Sequence, residues 1–178
     1  MNVKIEHKST TNTSKYQEKI EKAFAQIPTE HLRGLNKIVF VDSITEPRIS
    51  ADQRATLPAL YHPKMGGQMA WAEVAMDVLK PRKRFPQNLL ILLTLKSNLA
   101  QIIFSLAAQH YYLTLAKGTK KNQLEMACRL YTEKMFEKWR ENEGGIRVRL
   151  LKPIKPFLDK FARKLAKRYK EELGKSQK

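Results

Sequence analysis

Residues 89–115 form the most apolar run of the chain and hold one formal charge, Lys96. Such a run is either a buried helix, intact or broken near Ser97, or a membrane span. Residues 97–116 carry no formal charge, and about 20 apolar residues suffice to cross a bilayer. The same window holds Ser97, Asn98, Gln101, Ser105, Gln109, His110 and Thr114. That is too polar a set for an isolated span in lipid. The expectation is a helix buried in protein, apolar nearly all round, and no integral membrane insertion.

The rest of the chain is strongly basic. Among 178 residues, 34 Lys and Arg face 17 Asp and Glu, a net charge of +17. Such a balance favours a polyanionic partner, nucleic acid or an anionic surface, over a generally solvated basic exterior. A single cysteine, Cys128, excludes an intrachain disulfide and fits a reducing compartment. No secretory signal pattern opens the chain, so the expected location is cytoplasmic.

Local patterns divide the chain. Residues 1–13 are polar and expected to be a mobile tail. Residues 14–143 are expected to form one α+β domain, and residues 146–178 a basic helical extension beyond a break at Gly144-Gly145. Ser14 with Gln17 reads as a capping box, and Tyr16, Ile20 and Phe24 recur at helical spacing before Pro28 stops the helix. Residues 29–35 suggest a short helical turn with Leu32 and Leu35 inward. KIVFVD at 37–42 predicts a strand, and residues 43–57 a polar loop. Two strand-like runs around Pro63-Lys64-Met65-Gly66-Gly67 predict a hairpin. Gly118 is expected to close the core helix. In the next helix Leu124, Cys128, Tyr131, Met135 and Trp139 form an apolar stripe.

Two basic stretches stand out. Lys80, Arg82, Lys83 and Arg84 form a compact loop patch, read either as a phosphate-binding cluster or as a solvated linker. Residues 146–178 hold 12 Lys or Arg against 3 acids, a net +9. There Phe157, Phe161, Leu165, Tyr169 and Leu173 repeat every four residues. Lys160, Arg163, Lys164, Lys167 and Arg168 lie on or beside another face, with Arg147 and Arg149 upstream. This is the pattern of a basic amphipathic helix.

The core run and the hairpin also resemble a known family. FSLAAQH at 104–110 is similar to the active-site helix of minimal zinc metallopeptidases, the zincins, whose phrase is L-H-E-x-G-H-H. Ser105, Leu106 and Gln109 stand where that phrase has the first ligand, the general base and the second ligand, and His110 is its last residue. ALYHPKMGGQMAW at 59–71 is similar to the family hairpin, and EMACRLY at 125–131 to its glutamate helix, with Glu125 at the third-ligand position. The likeness spans roughly residues 28–140. It implies a zincin-like α+β fold: a small, mostly antiparallel sheet and hairpin packed on a central buried helix. It also implies a cleft bounded by Gln68, Met69, Ala70 and Trp71 as an edge strand.

The chemistry of that family is missing. Zinc needs three or four N, S or O ligands, and a serine hydroxyl, a carboxamide and a leucine do not supply them. Ser105 and His110 lie about 140° apart around a helix, too far for a dyad. Gln101, Ser105, Gln109 and His110 are expected to satisfy one another or buried backbone, and Glu125 reads equally as an exposed helix carboxylate. No phosphate loop or nucleophile elbow is present. The expected function is therefore non-catalytic: a pseudoenzyme that binds nucleic acid or a nucleoprotein with little sequence specificity, without metal or cofactor. The alternatives are a module holding a peptide on its inactive cleft and edge strand, a hydrolase with non-standard ligands, and a peripheral membrane protein docking through residues 154–173.

Overall fold

A computed structural model describes residues 3–10, 14–79, 87–116 and 120–143. The chain divides into two compact units, Met1–Lys138 and Trp139–Lys178. The sheet and its helices belong to the first; of the second, only residues 139–143 are described. The expected helix cap at Gly118, the break at Gly144-Gly145 and the basic extension lie outside the described residues.

The elements run β1 (Lys4–His7), α1 (Ser14–Phe24), a 3-10 turn (Thr29–Leu32), β2 (Leu35–Val41), α2 (Ala51–Thr56), β3 (Ala59–His62), β4 (Ala70–Ala75), α3 (Met76–Leu79), α4 (Gln87–His110), a π-helical segment (Tyr111–Leu115) and α5 (Lys121–Glu143). The fold is α+β with one four-stranded mixed sheet in the order β1-β2-β4-β3. β1 and β4 flank β2 in parallel, and β3 pairs with β4 antiparallel. The expected mostly antiparallel sheet is thus corrected: two of the three pairings are parallel. The pattern held the clue, because Ile38, Val39, Phe40 and Val41 are all buried. A strand covered on both faces reads as an unbroken apolar run rather than an alternating one.

Three further expectations change. Residues 4–7, assigned to a mobile tail, form an edge strand. Asp42 at the end of β2 secures it, accepting hydrogen bonds from Ser9 Oγ at 2.5 Å, Thr10 N at 3.0 Å and Thr10 Oγ1 at 3.1 Å. The polar loop at 43–57 contains α2, whose first turn Ser50 caps by accepting from Gln53 N at 3.4 Å. Residues 68–71 are not an edge. β4 begins at Ala70 and is paired on both sides, with β2 and with β3, so the open edge of the hairpin is β3. Gly66 turns the hairpin at φ +56, a conformation that costs glycine little.

α4 runs unbroken through Ser97 before widening into the π-helical segment. It packs on the sheet and on α1, and Leu95, Leu99, Ile103, Phe104, Leu106 and Ala107 are buried. Cross-strand pairing puts Tyr61 with Ala72 and Ala59 with Val74 on the face toward α4. Small residues there, Ala72 on the sheet and Ala107 and Ala108 on the helix, let the two backbones approach. The opposite sheet face carries Trp71 and Glu73, the latter bonded to Thr45 of the segment after β2. Among the described residues no helix is long and apolar enough to cross a membrane.

Candidate functional site

One side of α4 remains uncovered. Asn98, Gln101, Ser105 and Gln109 follow one another at steps of three and four residues, and they face α5 across an open cleft of about 980 Å³. Residues so spaced share one helix face. Leu124, Glu125, Cys128, Arg129, Thr132 and Glu133 form the opposing wall, and Pro58, Leu79, Ile102 and Leu113 complete the lining. A cleft of this size is within the range of ligand pockets.

Three of the five predicted cleft positions meet here: Ser105, Gln109 and Glu125. The other two do not. Leu106 and His110, four residues apart, turn to the sheet side of α4, and each is 1% exposed. The 3.6-residue period explains the split, because position 106 follows 105 by about 100° of rotation. The expectation that Gln101, Ser105, Gln109 and His110 satisfy one another is likewise corrected. His110 finds its partners in the core. The other three, and Asn98, make no side-chain hydrogen bond to another described residue.

His110 is a structural residue. Its Nε2 lies 3.0 Å from the Arg33 carbonyl oxygen, which can only accept, so Nε2 carries the proton. Nδ1 then accepts from the Tyr61 hydroxyl at 2.9 Å. Burial holds its pKa below the ordinary histidine value, with the Arg33 hydrogen bond opposing. Burial also pushes the Tyr61 phenol up to about 12. Gly34, at φ +93, brings the chain past this imidazole, 3.9 Å from where a Cβ would stand.

On the second wall the charges are few. Arg129 pairs with Glu133 at 3.0 Å. Glu125 is exposed and makes no ion pair with a described residue. Cys128, half-buried, has its thiol pKa raised by burial, which disfavours the thiolate a nucleophile needs. Thr132 Oγ1 is spent on the Cys128 carbonyl at 2.7 Å. His31 Nδ1 meets the Tyr131 hydroxyl at 2.8 Å and its ring lies 4.1 Å from that of Tyr111, tying α5 to the 3-10 turn and the π-helical segment.

A second polar cluster sits on the opposite sheet face. Glu73, 1% exposed, accepts from Thr45 N at 2.7 Å and Thr45 Oγ1 at 2.5 Å. The His62 ring stacks on Trp71 at 4.0 Å. Its Nε2 lies 3.6 Å from Glu73, and its Nδ1 3.7 Å from Glu46. The two carboxylates approach different ring nitrogens and do not converge on one point. No group of three His, Cys, Asp or Glu among the described residues is placed to hold a metal. Nothing in the sequence pattern linked Glu46, His62 and Glu73, because the hairpin register brings His62 beside Glu73 and the segment after β2 brings Glu46 to them.

The predicted phosphate contacts Lys80, Arg82, Lys83, Arg84, Arg147, Arg149, Lys160, Arg163, Lys164, Lys167 and Arg168 all lie outside the described residues. No family model, curated protein or solved structure matches the chain.

Proposed function

We propose that this protein is a non-catalytic polyanion binder whose partner is nucleic acid, recognised with little sequence specificity. The observation that carries the reading is where the charge lies. The described residues hold 17 Lys or Arg and 14 Asp or Glu, a net +3. Residues 80–86, 117–119 and 144–178 supply 17 more cations and only 3 acids, a net +14. The net charge is thus concentrated in short stretches of the sequence, above all residues 80–84 and 146–178. Clustered cations displace the counterions condensed on a phosphate backbone more effectively than dispersed ones do.

The hydrolase reading finds less support in the same geometry. Leu106 and His110, at the positions of a base and a flanking histidine, are directed into the core, while a hydroxyl, carboxamides and the carboxylates of Glu125 and Glu133, the latter paired with Arg129, line the cleft. Those groups suit hydrogen bonding better than activation of water.

The test is an electrophoretic mobility shift with mixed-sequence single- and double-stranded DNA and RNA across a salt series. The full-length chain is compared with a Lys80→Gln, Arg82→Gln, Lys83→Gln, Arg84→Gln variant and with an Arg163→Gln, Lys164→Gln, Lys167→Gln, Arg168→Gln variant. The logarithm of the affinity is expected to fall linearly with the logarithm of salt concentration. On duplex, each variant is expected to lower that slope by about 0.9 for every phosphate it no longer neutralises. Absence of binding at low salt refutes the proposal.

A further inference from the structure

The cleft between α4 and α5 differs in chemistry from the basic segments. Its charged residues are Glu125, Glu133 and Arg129, and Arg129 is taken up by Glu133 at 3.0 Å. That leaves the Glu125 carboxylate uncompensated among the described residues, so the described lining carries a net −1 within a chain of +17. Such a lining suits a cationic side chain better than a phosphate.

The shape of the polar wall narrows the ligand further. Asn98, Gln101, Ser105 and Gln109 climb α4 as a ladder. At 1.5 Å per residue its rungs are about 4.5, 6 and 6 Å apart, and the ladder is about 16 Å long. An extended peptide repeats its same-side backbone groups about every 6.7 Å, so the ladder spans about five residues. Carboxamides both donate and accept, as the peptide backbone does, and these make no hydrogen bond to another described residue. Pro58, Ile102 and Leu124 supply apolar walls for alternate side chains.

We infer that this cleft binds an extended peptide strand from another protein, with a lysine or arginine of that strand meeting Glu125. This goes beyond the polyanion reading, uses none of its residues, and stands or falls separately from it.

The experiment uses the full-length chain and dye-labelled, acetylated and amidated alanine-serine hexapeptides with Lys, Arg, Ala or Glu at the third position, followed by fluorescence anisotropy. The Lys and Arg peptides are expected to bind up to about fivefold more tightly than the Ala peptide, the size of one solvent-exposed ion pair. The Glu peptide is expected to bind least. Glu125→Lys is expected to invert the order of the Lys and Glu peptides, and Gln101→Ala with Gln109→Ala to weaken all four alike. Cys128, the chain's single cysteine, lines the cleft, so the bound Lys peptide is expected to slow its labelling by a thiol-reactive dye. The inference is overturned if no peptide binds, if Glu125→Lys leaves the order unchanged, or if a single-stranded oligonucleotide protects Cys128 where the Lys peptide does not.

Discussion

Replacing His110 with phenylalanine is a sharp test of the core. The ring keeps its approximate volume but loses both nitrogens, so the Tyr61 hydroxyl and the Arg33 carbonyl lose the partners they have at 2.9 and 3.0 Å. A buried polar group left without a partner costs about 1–3 kcal/mol, so His110→Phe is expected to lose about 2–6 kcal/mol at pH 8. That is a large share of an ordinary domain's stability of about 5–15 kcal/mol. The pH dependence has a definite sign. Burial lowers the pKa of His110 in the folded chain, whereas in the unfolded chain it titrates near the usual value of about 6.5. Below that value the unfolded chain takes up a proton that the folded chain resists. His110 therefore favours folding fully above about pH 6.5, and that contribution falls with pH until the folded value is reached. The loss is about 1.4 kcal/mol per pH unit within the window. Phenylalanine has no such term, so the gap between parent and variant is expected to be widest at pH 8 and to narrow toward pH 5. Urea unfolding of both proteins at pH 8, 7, 6 and 5 measures it. A Tyr61→Phe, His110→Phe double-mutant cycle isolates the pair, with an expected coupling of about 0.5–1.5 kcal/mol. A variant within about 0.5 kcal/mol of the parent at pH 8, or a gap that widens as pH falls, refutes the assigned tautomer and its role.

Other outcomes follow from the same geometry. Glu73→Gln sets an amide donor in place of one of the two oxygens that accept the short hydrogen bonds from Thr45. A loss of about 1.5–3 kcal/mol is expected, visible as a drop in melting temperature. Asp42→Ala removes the acceptor that holds Ser9 and Thr10, and faster amide exchange at Lys8 and Thr10 is expected while β4 stays protected. Because burial raises the Cys128 thiol, its reaction with a disulfide reagent at pH 8 is expected to be several-fold slower than that of free cysteine and to rise with pH. Tyr131→Phe breaks the bond from α5 to His31 and is expected to cost about 1 kcal/mol, with α5 amides losing more protection than those of β2.

How far the site could be read in advance differs residue by residue. The polar stripe of α4 went unread: serine and carboxamides at steps of three and four share a face, yet the helix was expected to be apolar nearly all round and its polar groups to satisfy one another. Their meeting with Glu125 was expected only through the resemblance of EMACRLY at 125–131 to a glutamate helix. His110 was misplaced because sequence spacing gives its angle around α4 but not what lies at that angle. Tyr61 and Arg33, its partners, are 49 and 77 residues away. The hairpin at 59–75 was legible from its Gly-Gly turn, but not which of its strands would be the edge.

Sequence alone determined the local terms. The buried character of α4, the break at the Gly-Gly turn, the apolar stripe of α5 and the unbroken apolar run of β2 follow from side-chain period and backbone chemistry within a few residues. Tertiary structure decided the rest: β1 joining β2 in parallel, β4 enclosed rather than exposed, Glu73 and His62 brought under Glu46, and a cleft left open along one stripe of α4. These depend on strand order and register, which are set by long-range pairing. A pairing partner dozens of residues distant leaves little mark on the local pattern, so neighbours in sequence can say that a strand is buried without saying against what.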